Sequence, residues 1–184
     1  MTNENIATIF GAAAVILVVI SYFANNQSKY LLFQALNMGS LAISYLFSCE
    51  YFAMIGISVS MARTITFFLI SQKGKSAPLI LSFFFAFLNL LAYVIVNLLI
   101  LKTTQPIAIL YVIALVTYSF IFRIKNMKKV RFLMLFPLTL TIMFNLFSNA
   151  SIFAAISYVI ELIADVIAII KNNLKKQDIA DTNQ

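Results

Sequence analysis

Apolar runs dominate the chain, interrupted only by short polar breaks, and their lengths decide what they are. Runs of about 20 apolar residues are needed to cross a bilayer core. Read this way, the chain predicts helices over Ile6 to Phe23, Leu31 to Phe47, Tyr51 to Ile70, Leu79 to Leu101, Ile107 to Phe122, Arg131 to Phe147 and Ile152 to Ile170. The breaks are minimal: "SCE" joins the second and third runs and "SNAS" the sixth and seventh. "ANNQSKY" and the basic "RIKNMKK" both lie at the other end of the bundle. The expected fold is therefore an all-α polytopic membrane protein with seven transmembrane helices. With 184 residues, no length remains for a separate soluble domain. The first run is expected to be a mature helix, because its flank "MTNEN" is acidic and no small-residue cleavage site follows it.

The runs also suggest an internal repeat. Sliding residues 6–70 over 106–170 without a gap pairs Asn26 with Asn126, Lys29 with Lys129, and "LFS" at 46–48 with "LFS" at 146–148. This predicts two three-helix repeats, about 6–70 and 107–170, joined by a linker helix at about 79–101 and followed by a tail at 171–184 that is expected to fray. An odd linker helix makes both repeats enter the membrane in the same direction, as parallel repeats about an axis along the membrane normal.

Composition sharpens the class: 62% hydrophobic, 10% charged, mean hydropathy +0.99. The net charge of +7 does not point to nucleic acid, because the cations sit between the spans. Eleven of them (Lys29, Lys73, Lys75, Arg123, Lys125, Lys128, Lys129, Arg131, Lys171, Lys175 and Lys176) fall at one end, and only Lys102 falls at the other. The positive-inside rule makes the rich end cytoplasmic, with the N-terminus outside and the C-terminus inside. One cysteine, Cys49, excludes an intrachain disulfide and reads as a small packing residue at a span end. The absence of histidine removes HExxH-type zinc sites and histidine bases. No cofactor or metal is expected, and no enzymatic activity.

Residues 22–75, "YFANNQSKYLLFQALNMGSLAISYLFSCEYFAMIGISVSMARTITFFLISQKGK", carry a polar break, a helix with Gln34, a short hairpin, and a helix with an arginine followed by a Thr-rich turn. This block resembles the YgjV-type bacterial inner membrane proteins. "MFNLFSNASIFAAISYVIELIADVIAIIK", residues 143–171, resembles them more loosely. The resemblance implies a multi-pass protein of the bacterial inner membrane, grouped by fold with PQ-loop and SWEET-like carriers. The chain departs from the carrier pattern: no Pro-Gln pair follows the first helix, the first two helices lack proline, and tryptophan is absent. A sugar-stacking site of the usual kind is therefore not expected.

The candidate chemistry lies inside the spans. A lone Arg or Asp at a helix centre costs about 2.5–3.5 kcal/mol, so Arg63, Glu161 and Asp165 unpaired would together cost about 8–10 kcal/mol. The slide sets Arg63 opposite Ile163, midway between the two acids, and four-residue spacing puts Glu161 and Asp165 on one helical face. The expectation is that both acids meet Arg63. Plainer readings stand beside it: snorkelling to headgroups, a structural ion pair, or carboxyls that stay protonated and neutral. Gln34, Asn37 and Asn145 are candidates for contacting a small polar solute, although interhelical hydrogen bonding is their commoner use. The serines and threonines are expected to bond their own helix backbone. Gly39 and Gly56 permit close helix approach, and Pro137 permits a bend in the sixth helix. A small-solute carrier working by alternating access follows most directly. A non-transporting accessory protein and, more remotely, an intramembrane enzyme are the alternatives. The bilayer is the one partner implied; the oligomeric state is left open.

Overall fold

In a computed structural model of the chain, residues 3–24, 26–100, 106–148 and 152–182 are described, with side chains up to Asn97 in the fourth span and up to Ile170 in the last. Lys102 and most of the "SNAS" turn fall outside the described residues, as do the side chains of Lys171, Lys175 and Lys176. The described residues form seven helical segments and no strand: α1 (Asn3–Tyr22), α2 (Gln27–Phe47), α3 (Tyr51–Gln72), α4 (Leu79–Tyr93, continuing as a π-helical turn over Val94–Ile100), α5 (Pro106–Ile121), α6 (Met127–Phe147) and α7 (Ile152–Thr182). Six are long and apolar enough to cross a membrane; Pro106–Ile121 is apolar but shorter.

The polar breaks act as caps. The side-chain oxygen of Asn26 accepts from the Lys29 amide at 2.9 Å, satisfying one of the orphan donors at the start of α2. Asn126 does the same for α6, accepting from Lys128 and Lys129 at 3.0 and 3.3 Å. At the far end of α2 the Cys49 amide bonds to Leu46 O (3.2 Å) and the Glu50 amide to Tyr45 O (3.0 Å). This is the Schellman pattern, whose left-handed position usually holds glycine. Here Cys49 holds it, exposed and at φ 61°. It is a turn residue rather than the packing residue expected.

Consecutive helices pack side by side from α1 to α3 and again from α5 to α7. In addition α1 meets α7 and α3 meets α5, so these six close into a ring, while α4 lies against α3 and α5. Glycines and small residues set the closest approaches. A Cβ on Gly11 would fall 2.6 Å from Phe153 Cβ, and one on Gly56 would fall 2.8 Å from Leu115 Cδ1, so α1–α7 and α3–α5 touch where a side chain is missing. Gly39 faces only the flexible end of Met61. Large apolar residues such as Ile16, Phe23, Ile80, Phe132 and Ile167 point outward, an apolar coat that suits lipid and not water.

Two further differences from the expected elements have local causes. α7 does not stop at Ile170 but runs on to Thr182, because residues 171–182 contain no Pro or Gly to end it. The predicted fourth span widens into a π-helical turn at Val94–Ile100. There the β-branched run Val94-Ile95-Val96 is a weak α-helix former, and Asn97 Nδ2 reaches back to Tyr93 O at 3.5 Å. Pro137 is accommodated inside α6 without ending it, and its carbonyl accepts from Thr141 Oγ1 at 2.8 Å.

Candidate functional site

The interior of the ring is polar. Gln34, Asn37, Ser60, Arg63, Asn145, Ser157, Glu161 and Asp165 are all buried. Periodicity explains why they converge. Glu161 and Asp165 follow Tyr158 at helical spacing on the inner face of α7, and Gln34 follows Tyr30 by one turn on α2.

Glu161 is held from α2. Gln34 Nε2 donates to Glu161 Oε1 at 2.6 Å, and the Tyr30 hydroxyl lies 3.3 Å from the same oxygen and 3.0 Å from Met134 Sδ. The backbone carbonyl of Glu161 accepts from the Tyr22 hydroxyl of α1 at 2.7 Å. Asp165, one turn further, has neither carboxylate oxygen hydrogen-bonded. The groups around it are Arg131, Tyr22 and Glu161. Arg131 in turn lies over the Tyr22 ring at 5.5 Å, with its Nη2 at 3.5 Å from Tyr22 O.

The expected meeting of Arg63 with the two acids does not occur. Arg63 is fully buried, but its Nη1 donates to Leu115 O (3.1 Å) and Ser119 Oγ (3.0 Å) on α5, and its guanidinium lies over the Phe122 ring at 5.0 Å. Its Nε and Nη2 have no partner. The reason is azimuthal. Matching depth along two helices does not fix the direction in which each side chain points. Arg63 lies two turns beyond Gly56, on the face that Gly56 opens to α5, whereas Glu161 faces α2.

Beside Glu161 lies a small cavity with a volume of ≈ 10 Å³, at the lower limit of about 10–15 Å³ that holds one water. It is lined from α2 by Gln34, Asn37 and Met38, from α3 by Ile57 and Ser60, from α5 and its end by Leu115, Tyr118 and Phe122, and otherwise by Met134, Tyr158 and Glu161. Three of these polar linings, Asn37 Oδ1, Ser60 Oγ and the Tyr118 hydroxyl, are buried without a hydrogen-bond partner. Such groups are costly and rare in folded proteins. A larger groove of ≈ 290 Å³ on the outer surface, between α1 and α7, is lined by Val19, Tyr22, Phe23, Ile160, Ile163, Ala164 and Ile167, an apolar set.

Side-chain contacts lie beyond the cavity toward each end of the bundle. Toward the α2–α3 hairpin, Tyr45 donates to Asn145 Oδ1 at 2.7 Å, and Phe52, Tyr111 and Phe144 cluster, with Tyr111 stacked on Phe144 at 4.5 Å. Toward the opposite end stand Tyr22, Arg131 and Asp165.

Of the candidates taken from the sequence, Gln34, Asn37 and Glu161 share the cavity wall. Asn145 lies beyond it toward the α2–α3 hairpin, Arg63 one layer behind Phe122 and Leu115, and Asp165 beyond Glu161. Sequence reasoning does not reach the tyrosines or Ser119. The aromatic spacing Tyr111, Tyr118, Phe122 along one face of α5 is the signal that marks them as inward. Most of the other hydroxyls bond their own helix as expected: Ser58, Thr64, Thr66, Thr117 and Thr141 each reach the carbonyl four residues back. Ser44 instead crosses to Ala7 O on α1.

No curated protein and no solved structure matches the chain. The family match covers residues 5–176, almost the whole of the helical bundle and every candidate site residue. The chain belongs to the Imp-YgjV family of bacterial inner membrane proteins.

Proposed function

We propose that this protein is a small-solute carrier that works by alternating access between two parallel three-helix repeats, α1–α3 and α5–α7, joined by α4, in a SWEET-like arrangement. The repeat reading is supported by a shift of one hundred positions that lays α2 on α6 end for end, with Asn26 and Asn126 as matching N-caps and Ser48 and Ser148 as matching C-caps. The interfaces between the repeats also correspond. Gly11 of α1 abuts Phe153 of α7, while at the shifted positions Tyr111 of α5 bonds to the carbonyl of Ala53 of α3 (3.4 Å). Large and small residues are exchanged between the two interfaces. A seventh crossing by α5 and the placing of the basic end in the cytoplasm belong to the same proposal. A reporter fused after Gln184 that is active only in the periplasm would overturn that orientation.

The observation that carries the carrier reading is the small cavity lined from both repeats, with the Glu161 carboxyl and three unpartnered polar groups in its wall. A fold lock has no use for polar groups left unsatisfied, whereas a solute site does. The test is access. A single cysteine at Asn37, in a Cys49→Gly background, should react with a membrane-impermeant thiol reagent added to either face of sealed vesicles. No reaction from either face in a folded protein would overturn the reading. The accessory alternative would then stand, and the tightness of the centre, with room for one water at most, is the feature that favours it.

A further inference from the structure

Arg63 and Glu161 are 0% and 2% exposed and are of opposite charge type, yet they do not touch. Glu161 lines the cavity. Arg63 bonds to Leu115 and stacks on Phe122, both cavity-lining, and sits one turn from Ser60, also cavity-lining. Direct contact is the simplest remedy for two buried opposite charges, and a pair kept only for the fold would take it. Here Glu161 lines a space whose wall carries unpartnered polar atoms, while Arg63 lies behind the Leu115 and Phe122 part of that wall with its Nε and Nη2 unpartnered. Asp165 is a second acid within electrostatic range of Glu161, and Arg131 is the cation within range of Asp165.

We propose that the centre binds a small zwitterion, a solute of α-amino-acid size with one amino group and one carboxylate. The amino group is recognised by Glu161 with Tyr30 nearby, and the carboxylate by the free edge of Arg63. A solute with a single charge would leave one of the two protein charges unmatched; a zwitterion matches both and brings no net charge into the bilayer. Asn37, Ser60 and Tyr118 supply further hydrogen bonds between the poles. The proposal rests on the carrier reading for one step: the cavity is too small for such a solute and Arg63 lies behind its wall, so the site must enlarge and uncover Arg63 as the repeats part.

Purified protein in detergent is titrated with L-alanine, with ethylamine and propionate, which each carry one of its charges on a similar skeleton, and with glycerol, which carries none. Binding is read by the shift of the thermal unfolding midpoint and by calorimetry. L-Alanine should raise the midpoint, and the other three should leave it near the unliganded value at the same concentration. Glu161→Gln should weaken L-alanine binding about tenfold or more, the loss expected for removing one buried charged partner. Arg63→Lys, which keeps the charge but loses the planar fork, should weaken it less than Arg63→Gln. If the Arg63 variants do not fold, the wild-type panel decides alone. An equal response to ethylamine or to propionate, a response to glycerol, or none to L-alanine overturns the zwitterion. L-alanine binding with no access to Asn37 from either face would keep this site and remove the carrier. Access without L-alanine binding would do the reverse.

Discussion

Tyr45 and Asn145 stand one hundred positions apart in the chain and share a hydrogen bond of 2.7 Å in the buried interior. In the proposed repeat arrangement they are equivalent positions of α2 and α6. Equivalent positions meet directly only at a two-fold axis, so this bond lies where the halves must separate if they move. Tyr45→Phe and Asn145→Leu each break it. A double-mutant cycle read by thermal unfolding in detergent should give a coupling of about 0.6 kcal/mol, up to about 1.7, the range for hydrogen bonds between membrane helices. Strictly additive losses would show that the bond does not hold the halves.

Arg63 and Glu161 should behave independently in stability. Because Arg63 is held by Leu115, Ser119 and Phe122 and Glu161 by Gln34 and Tyr30, Arg63→Met and Glu161→Gln should add to within about 0.5 kcal/mol, whereas residues in contact couple by about 0.5–3. Restored yield in the double variant, relative to Arg63→Met alone, would count against this geometry.

Cys49 offers a stabilising change. A non-glycine residue in the left-handed region costs about 1–2 kcal/mol, and glycine loses part of that gain through its freer unfolded chain. Cys49→Gly should therefore raise stability by about 0.5–1 kcal/mol, measured by denaturation in mixed micelles. A loss of stability would mean that the thiol makes a contact the turn depends on.

Gly11 and Gly39 should respond differently to the same substitution. At Gly11 an added Cβ meets the Cβ of Phe153, which no rotamer change can move, so Gly11→Ala should cost about 1–3 kcal/mol. At Gly39 it meets only the tip of Met61 at 3.4 Å, and Gly39→Ala should be nearly neutral or stabilising through helix propensity. Equal unfolding midpoints for the two variants would contradict the close α1–α7 approach.

Helix positions were legible because the length of each apolar run is dictated by the bilayer, and Asn26 and Asn126, paired by the slide, both turn out to be caps. The inward placing of Gln34, Asn37, Asn145 and Glu161 was legible too, since lipid offers such groups no partner. The partner of Arg63 was not. Residue counting gives depth along a helix, but a side chain's direction depends on which helix packs on that face. Gly56, two turns before Arg63, held that information, and using it required knowing that α5 is the neighbour. The left-handed Cys49 was hidden because its type is uncommon there, and the continuation of α7 because polar residues 171–182 give no apolar signal although nothing in them stops a helix.

If the protein is a carrier as proposed, its two halves part alternately at the two ends of the bundle. Lys29 with Lys129, and Leu46 with Leu146, are equivalent pairs at opposite ends of α2 and α6, and all four residues are exposed. Spin labels placed on one pair at a time, in the Cys49→Gly background and in lipid, report the distance across each end by pulsed electron paramagnetic resonance. The prediction is two populations for each pair, with conditions that lengthen the 46–146 distance shortening the 29–129 distance. A single narrow distance at both ends, unchanged by L-alanine or by lipid composition, would contradict the account.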